Sequence, residues 1–292
     1  MVVEPDGPPE FRFLNGVTDV AAVQLCLVPW GPGGALGVDS APQPPAGLAY
    51  GELLTPALPG GFDAATTSLR PYVIGGDLAT VAGQGCLELA ATTPAGVKAV
   101  GLPVLPPGTL TAPRSRLAVT TGCLGGLGVA DPIYACGQGI DPLAGNAGLV
   151  LVDLSRTAPA SDRLGVQLVH ASAASGPLRV VSVTDKGTIV SLAGSLGPGQ
   201  IAPRPPLQST ADSLFGINAS EATLKLQDGQ QGTDLLTFPL PASLADSGLG
   251  LDDLGPGHSL VVVVLGPRPG GPATGVPPVA PPRLRWLEAP AL

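Results

Sequence analysis

Short apolar segments, a turn former at almost every break between them, and a motif that returns at constant spacing predict an all-β chain. The expected architecture is two tandem Ig-like antiparallel β-sandwich domains. At 292 residues the chain is long enough for two domains, each with its own core. Hydrophobic residues make up 44 %, too many for a chain disordered throughout. Gly (42) and Pro (35) together exceed a quarter of the sequence. Short strands joined by many turns reconcile the two facts, and a GC-rich genome accounts for a large share of the excess.

In chain order, residues 1 to 10 read as a flexible Pro/Gly-rich tail. FRFL and VQLCL then alternate, placing Phe11 and Phe13, then Val23, Leu25 and Leu27, on one face of a strand. Val28 to Gly47 is dominated by turn formers and is expected to be a long loop. LAYGELL, SLRPYVIGG, GCLELAA, VKAVGLPVL and RLAVTTG follow as strand-like segments, with Pro71 suited to an edge or a strand start. Cys123 to Gly148 reads as loop, and LVLVDL (Leu149 to Leu154) as a buried or closing strand. The first domain is assigned to residues 11–158 and the second to 164–292, with RTAPASDR as connector. In the second domain, DG at Asp228 marks a hairpin. PASLADSGLGLDDL is the one convincing helix candidate, and RLRWLEAP supplies a last strand with Leu284 and Trp286 facing the sheet.

The repeat is carried by VQLVHAS, which aligns with FRFLNGV at a constant offset of 155 residues. Without a gap the same offset brings LRVVS (Leu178 to Ser182) onto VQLCL, so that Val181 stands for Cys26. Farther on, LGPG before HSLVVVVLG resembles LPPG, which precedes SRLAVTTG after a longer insert.

The four cysteines, Cys26, Cys86, Cys123 and Cys136, all lie in the first domain and allow three pairings. Zinc would favour CxxC pairs with nearby His, yet His170 and His258 are both in the second half. Two disulfides in an oxidising compartment are expected. Cys26 would pair with Cys86 as an inter-strand staple, and Cys123 with Cys136 across a Gly-rich loop; buried free thiols are the alternative. The opening VVEPDGPPE has neither a basic start nor an apolar core. We therefore expect an extracellular or cell-envelope protein whose signal peptide has been replaced by a starting Met, with a cytosolic protein as the other reading.

VHAS followed by a short turn and a strand resembles the opening signature of domain of unknown function 4397, a bacterial secreted and cell-surface family. The first half supplies LAYGE (Leu48 to Glu52) and LPPG (Leu105 to Gly108); the second supplies VHAS (Val169 to Ser172) and LGPG (Leu254 to Gly257). The chain departs from the signature where Pro-Asp after VHAS is Ala173-Ala174, where the strand acid is Arg179, and where the first copy has LNGV. The resemblance implies an extracellular pair of Ig-like sandwiches without an established activity, and it carries over no catalytic residue.

The residues themselves offer little chemistry. Net charge is −8 with no Lys/Arg cluster, which argues against nucleic acid and anionic membrane surfaces as partners. The longest apolar run, LVVVV at Leu260, is strand-sized, so no membrane insertion is expected. His170 and Ser172 share a strand face with Asp162 and Asp185 nearby in sequence, but a hydrogen-bonded His at a strand end is the favoured reading. The Gly-rich runs lack a P-loop pattern. Asp131, Asp141, Asp252 and Asp253 have no EF-hand spacing and read as solvated loop carboxylates. No cofactor or metal is expected. Trp30, Tyr50 and His170 remain as candidate ligand-binding residues, with Trp30 as a lid on the core and Tyr50 as a half-buried sheet residue the competing assignments. The leading expectation is a non-enzymatic secreted or cell-surface structural or interaction protein whose partner is an extracellular protein or glycan. A loop-based saccharide- or peptide-binding module is the alternative, weakened for sugars by an aromatic content of 3 %. A hydrolase of unfamiliar design is the least supported reading.

Overall fold

The computed structural model describes residues 10–111, 113–126, 132–137, 140–267 and 281–289. The expected tail (apart from Glu10), Asp131 and most of the Pro/Gly linker after Gly266 lie outside them. The chain divides into two compact units, with the change between Leu151 and Val152, inside the last strand of the first sandwich. Both are β-sandwiches.

The first unit carries β1 (Glu10–Leu14), β2 (Ala22–Gly31), β3 (Gly34–Ala35), β4 (Gln43–Ala49), β5 (Leu53–Leu54), β6 (Ser68–Gly76), β7 (Val97–Gly101), β8 (Ser115–Thr121) and β9 (Gly148–Leu154). One sheet runs β5-β1-β8-β9 and the other β3-β2-β6-β7, with β4 also on β2. The second unit carries β10 (Leu164–His170), β11 (Leu178–Val183), β12 (Ile189–Ser191), β13 (Ile201–Ser209), β14 (Thr223–Asp228), β15 (Asp234–Pro239), β16 (Ser259–Leu265) and β17 (Arg283–Glu288). Its sheets run β13-β10-β16-β17 and β12-β11-β14-β15, the same order strand for strand.

The equivalence extends to register. Glu10 pairs with Ser115 and Gly165 with Ser259, each opening a parallel ladder between the first strand and the seven-residue strand near the end of its unit. Arg114 gives its carbonyl to the N–H of Glu10, and His258 gives its own to Gly165. Val23 to Leu27 pair with Gly75 to Pro71, and Leu178 to Ser182 with Asp228 to Leu224. The constant offset in the sequence is therefore one fold written twice. Among the strand pairs described, β1 with β8 and β10 with β16 run parallel, one in each unit, beside antiparallel neighbours.

Alternation sorts the side chains as a half-buried strand demands. Phe11 and Phe13 face Val23, Leu25 and Leu27 in the first core, with Ala118 and Leu69. Leu164, Val166 and Leu168 face Leu178, Val180, Leu224 and Leu226 in the second, with Leu260, Val262, Leu284 and Trp286. β2 is buried on its other face too: Cys26 and Val28 pack with Tyr72, Ile74, Cys86 and Leu89 in a smaller cluster. That cluster is closed by α1 (Cys86–Ala91). GCLELAA, expected as a strand, is thus a helix; Cys86 and Leu89, three apart, lie on one helical face and are its buried residues.

Other local expectations change for similar reasons. β2 continues to Gly31, and β3 and β4 occupy much of the span expected as loop. A short helix, α2 (Pro132–Cys136), stands within the predicted loop after Cys123. α3 (Ala211–Phe215) starts at Thr210, whose hydroxyl accepts from the Ser213 N–H as an N-cap. The expected helix over 241–254 is broken into α4 (Leu240–Ala245) and a 3-10 turn at Leu251–Leu254. Gly248, at φ +76°, takes the left-handed conformation that ends the first piece. The hairpin at Asp228 forms with a longer loop than two residues, in which the Asp228 carboxylate accepts from the N–H groups of Gln230 and Gln231.

Candidate functional site

All four cysteines are bonded, Cys26 to Cys86 and Cys123 to Cys136, with Cα atoms 5.4 and 5.5 Å apart. The pairing agrees with expectation, but the first bridge is not an inter-strand staple. It ties the outer face of β2 to the first residue of α1, because Cys26 points away from the sandwich core. At the equivalent position of the second unit Val181 is fully buried without a partner sulfur.

His170 is buried at the end of β10. Its Nε2–H donates to the carbonyl of Gly176 (2.9 Å), and Nδ1 accepts the backbone N–H of Ser172 (3.2 Å). The Ser172 hydroxyl donates to the carbonyl of Gly266 and meets the Ser175 hydroxyl, both at 2.7 Å. Imidazole and hydroxyl are thus committed separately, and among the described residues no base partners the Ser172 hydroxyl. Asp162 pairs with Arg163, and Asp185 accepts from the N–H of Asn218. The first unit shows what the arrangement is for. Asn15, 155 residues earlier, is equally buried, and its Oδ1 accepts the N–H of Val17 two residues on. Asn15 exchanges backbone hydrogen bonds with Gly51 and Glu52 within LAYGELL, as His170 does with Gly199 and Gln200. The offset already sets Asn15 against His170, a signal for a structural rather than a chemical role.

Burial holds the His170 pKa below the usual 6.5, against a smaller upward pull from the Gly176 carbonyl. The unfolded chain then binds more protons than the folded one in the window below 6.5, so stability falls as pH drops through that window and is insensitive to this group above it. His170→Asn keeps an acceptor for the Ser172 N–H, as Asn15 does for Val17. Urea titrations across this range are expected to show a slope in the parent that flattens in the variant; identical slopes would contradict the assignment.

Trp30 stands on β2, not in a loop, and is half-buried against the cluster under α1. The Arg70 guanidinium lies 4.7 Å from its ring centroid and 5.3 Å from that of Tyr72. This cation–π stack covers the indole that a stacking sugar would need. Tyr50 is half-buried and its hydroxyl donates to the carbonyl of Pro281 at 3.2 Å. Trp30, Tyr50 and His170 therefore have separate surroundings: a sheet face, a turn and a buried strand end. His258 Nδ1 is 3.4 Å from a carboxylate oxygen of Glu288, an ion pair when the imidazole is protonated. Asp141 accepts from the N–H groups of Leu143 and Ala144, which lower its pKa. Asp253 accepts from the N–H of Gly250.

Sequence reasoning did not anticipate a groove of about 480 Å³ at one end of the second sandwich. Its walls are the start of β10, the α3 segment and the 3-10 turn at Leu251–Leu254; buried Leu164 and Leu254 line it together with the exposed Ile217 and Leu251. Asp162, Asp212 and Asp252 also line it. The loops that form it lie far apart in the sequence and carry no shared local signal; only the fold brings them together.

The fold and these sites define a protein of two disulfide-supported or purely hydrophobic sandwich repeats. No family model matches the chain, and no curated protein matches it. Among solved structures, it is similar to the fimbrial anchor protein Mfa2 from Porphyromonas gingivalis (11 % identity, 88 % of this chain and 91 % of that one, TM-score 0.19). It is also similar to a candidate adhesin from Bacteroides thetaiotaomicron (10 % identity, 91 % and 92 %, TM-score 0.23). At such scores neither likeness carries weight for what the chain does.

Proposed function

We propose that the chain is a non-enzymatic interaction protein of the cell surface or extracellular space. The observation that carries this reading is the oxidised state of all four cysteines, since stable disulfides belong to oxidising compartments. The resemblance of VHAS and LAYGE to domain of unknown function 4397, whose members are secreted or surface proteins, supports the same compartment. The commitment of His170 and Ser172 to separate hydrogen-bond partners supports a non-enzymatic reading. Among the described residues no helix is long and apolar enough to cross a membrane. A second reading, a loop-based binding module, is favoured by the groove at the end of the second sandwich, which combines apolar surface with a few polar groups.

Fractionation of the native cells with quantitative thiol labelling tests the proposal. The chain is expected in the medium or envelope fraction with no reactive thiol after denaturation. Recovery from the cytosol with four free thiols would overturn it.

A further inference from the structure

We infer that the groove in the second sandwich is a docking site for a cationic, aliphatic peptide segment of a partner protein. This deepens the proposed interaction role and rests on it.

The occupant follows from the chemistry of the walls. Ile217 is 74 % exposed and Leu251 38 %, two of the eight large apolar side chains that the described residues present to solvent, and these two share one concave surface. The exposure of Ile217 is built into the backbone. Phe215 ends α3 fully buried, Gly216 takes φ +88°, and the reversal turns the next residue outward. A Cβ on Gly216 would sit 2.1 Å from one carboxylate oxygen of Asp185, whose other oxygen accepts from the Asn218 N–H, so the turn admits no side chain at this position. Buried Leu164 and Leu254 extend the apolar lining.

Three carboxylates share the lining. Asp162 lies 3.3 Å from the Arg163 guanidinium, but Asp212 and Asp252 are exposed and among the described residues make no side-chain hydrogen bond or ion pair. The lining contains no Lys or Arg to neutralise them. A concave surface with apolar contacts and unpaired negative charge is complementary to Lys or Arg side chains flanked by Leu, Ile or Val. A second copy of this chain, itself at −8, is electrostatically unsuited to fill it. Saccharide is disfavoured too, because no aromatic residue lines the groove for a sugar ring to stack on.

The test is a methyl-resolved NMR titration of the full chain with an acetylated, amidated Lys-Leu-Lys-Leu-Lys peptide, beside the same peptide with Glu for Lys and a neutral hexasaccharide. Saturable shifts at Ile217 and Leu251 with the lysine peptide are expected, weakening as salt rises. The Asp212→Asn/Asp252→Asn double variant should bind about tenfold more weakly, the scale of two exposed ion pairs near the upper end of their range. Its thermal transition should be unchanged, since neither carboxylate holds the fold. Ile217→Ser should also weaken binding. No saturable shift by millimolar peptide, equal binding of the glutamate peptide, or tighter binding of the saccharide would each overturn the inference. The cell-fractionation result is independent of all three, so failure here leaves the compartment and the interaction role to be judged separately.

Discussion

Trp286→Ala is expected to destabilise the second sandwich by about 3–5 kcal/mol, the usual cost of deleting a buried aromatic side chain. Trp286 is the largest fully buried side chain described, and it lies on β17, the last strand. Its ring meets Phe215 edge-on at 6.3 Å, and its indole N–H donates to the Ser243 hydroxyl on α4 at 2.9 Å. Its backbone N–H donates to the hydroxyl of Ser247 just beyond that helix. One residue thus joins the edge strand to both helices that close the core. Trp286→Phe keeps most of the apolar volume but leaves the buried Ser243 hydroxyl without its donor, and should cost a smaller amount, about 1–3 kcal/mol. Calorimetry of the full chain measures both. A loss below about 1 kcal/mol for the alanine variant would mean that β17 contributes little to this core.

Removing the Cys26–Cys86 bridge should cost the first sandwich about 4 kcal/mol, and removing Cys123–Cys136 about 3 kcal/mol, from loop closures of 60 and 13 residues. The first bridge also fastens α1 over the outer face of β2, so Cys26→Ser/Cys86→Ser should expose Val28, Ile74 and Leu89. Urea denaturation of the two paired-serine variants, followed by Trp30 fluorescence beside that cluster, gives the ranking. Reductant should shift the first sandwich in the same sense and leave the second, which has no cysteine, where it stands. A second-sandwich transition that moved with reductant would contradict this division.

The strands that carry the cores were legible because period-two alternation and burial are consequences of the same geometry: Phe11 and Phe13, or Leu284 and Trp286, can reach a core only from alternate positions. The cysteine pairing was legible as well, since each bridge stays within the first sandwich. GCLELAA was not, because a run of seven residues suits a strand or a helix, and only the vacant outer face of β2 selects the helix. Trp30 misled for a related reason: the Pro/Gly-rich stretch after it hid the length of β2.

By itself the sequence determined the all-β class, the two-fold repetition and the equivalence of the VHAS and LNGV strands, since these follow from local periodicity and constant spacing. Tertiary structure alone decided the candidate sites. It turned His170 and Ser172 toward backbone partners and set Arg70 over Trp30. It also gathered Asp162, Asp212, Ile217 and Asp252 into one groove. Those juxtapositions depend on which loops meet at one end of a sandwich, and that is set by strand order and register rather than by any short stretch of chain.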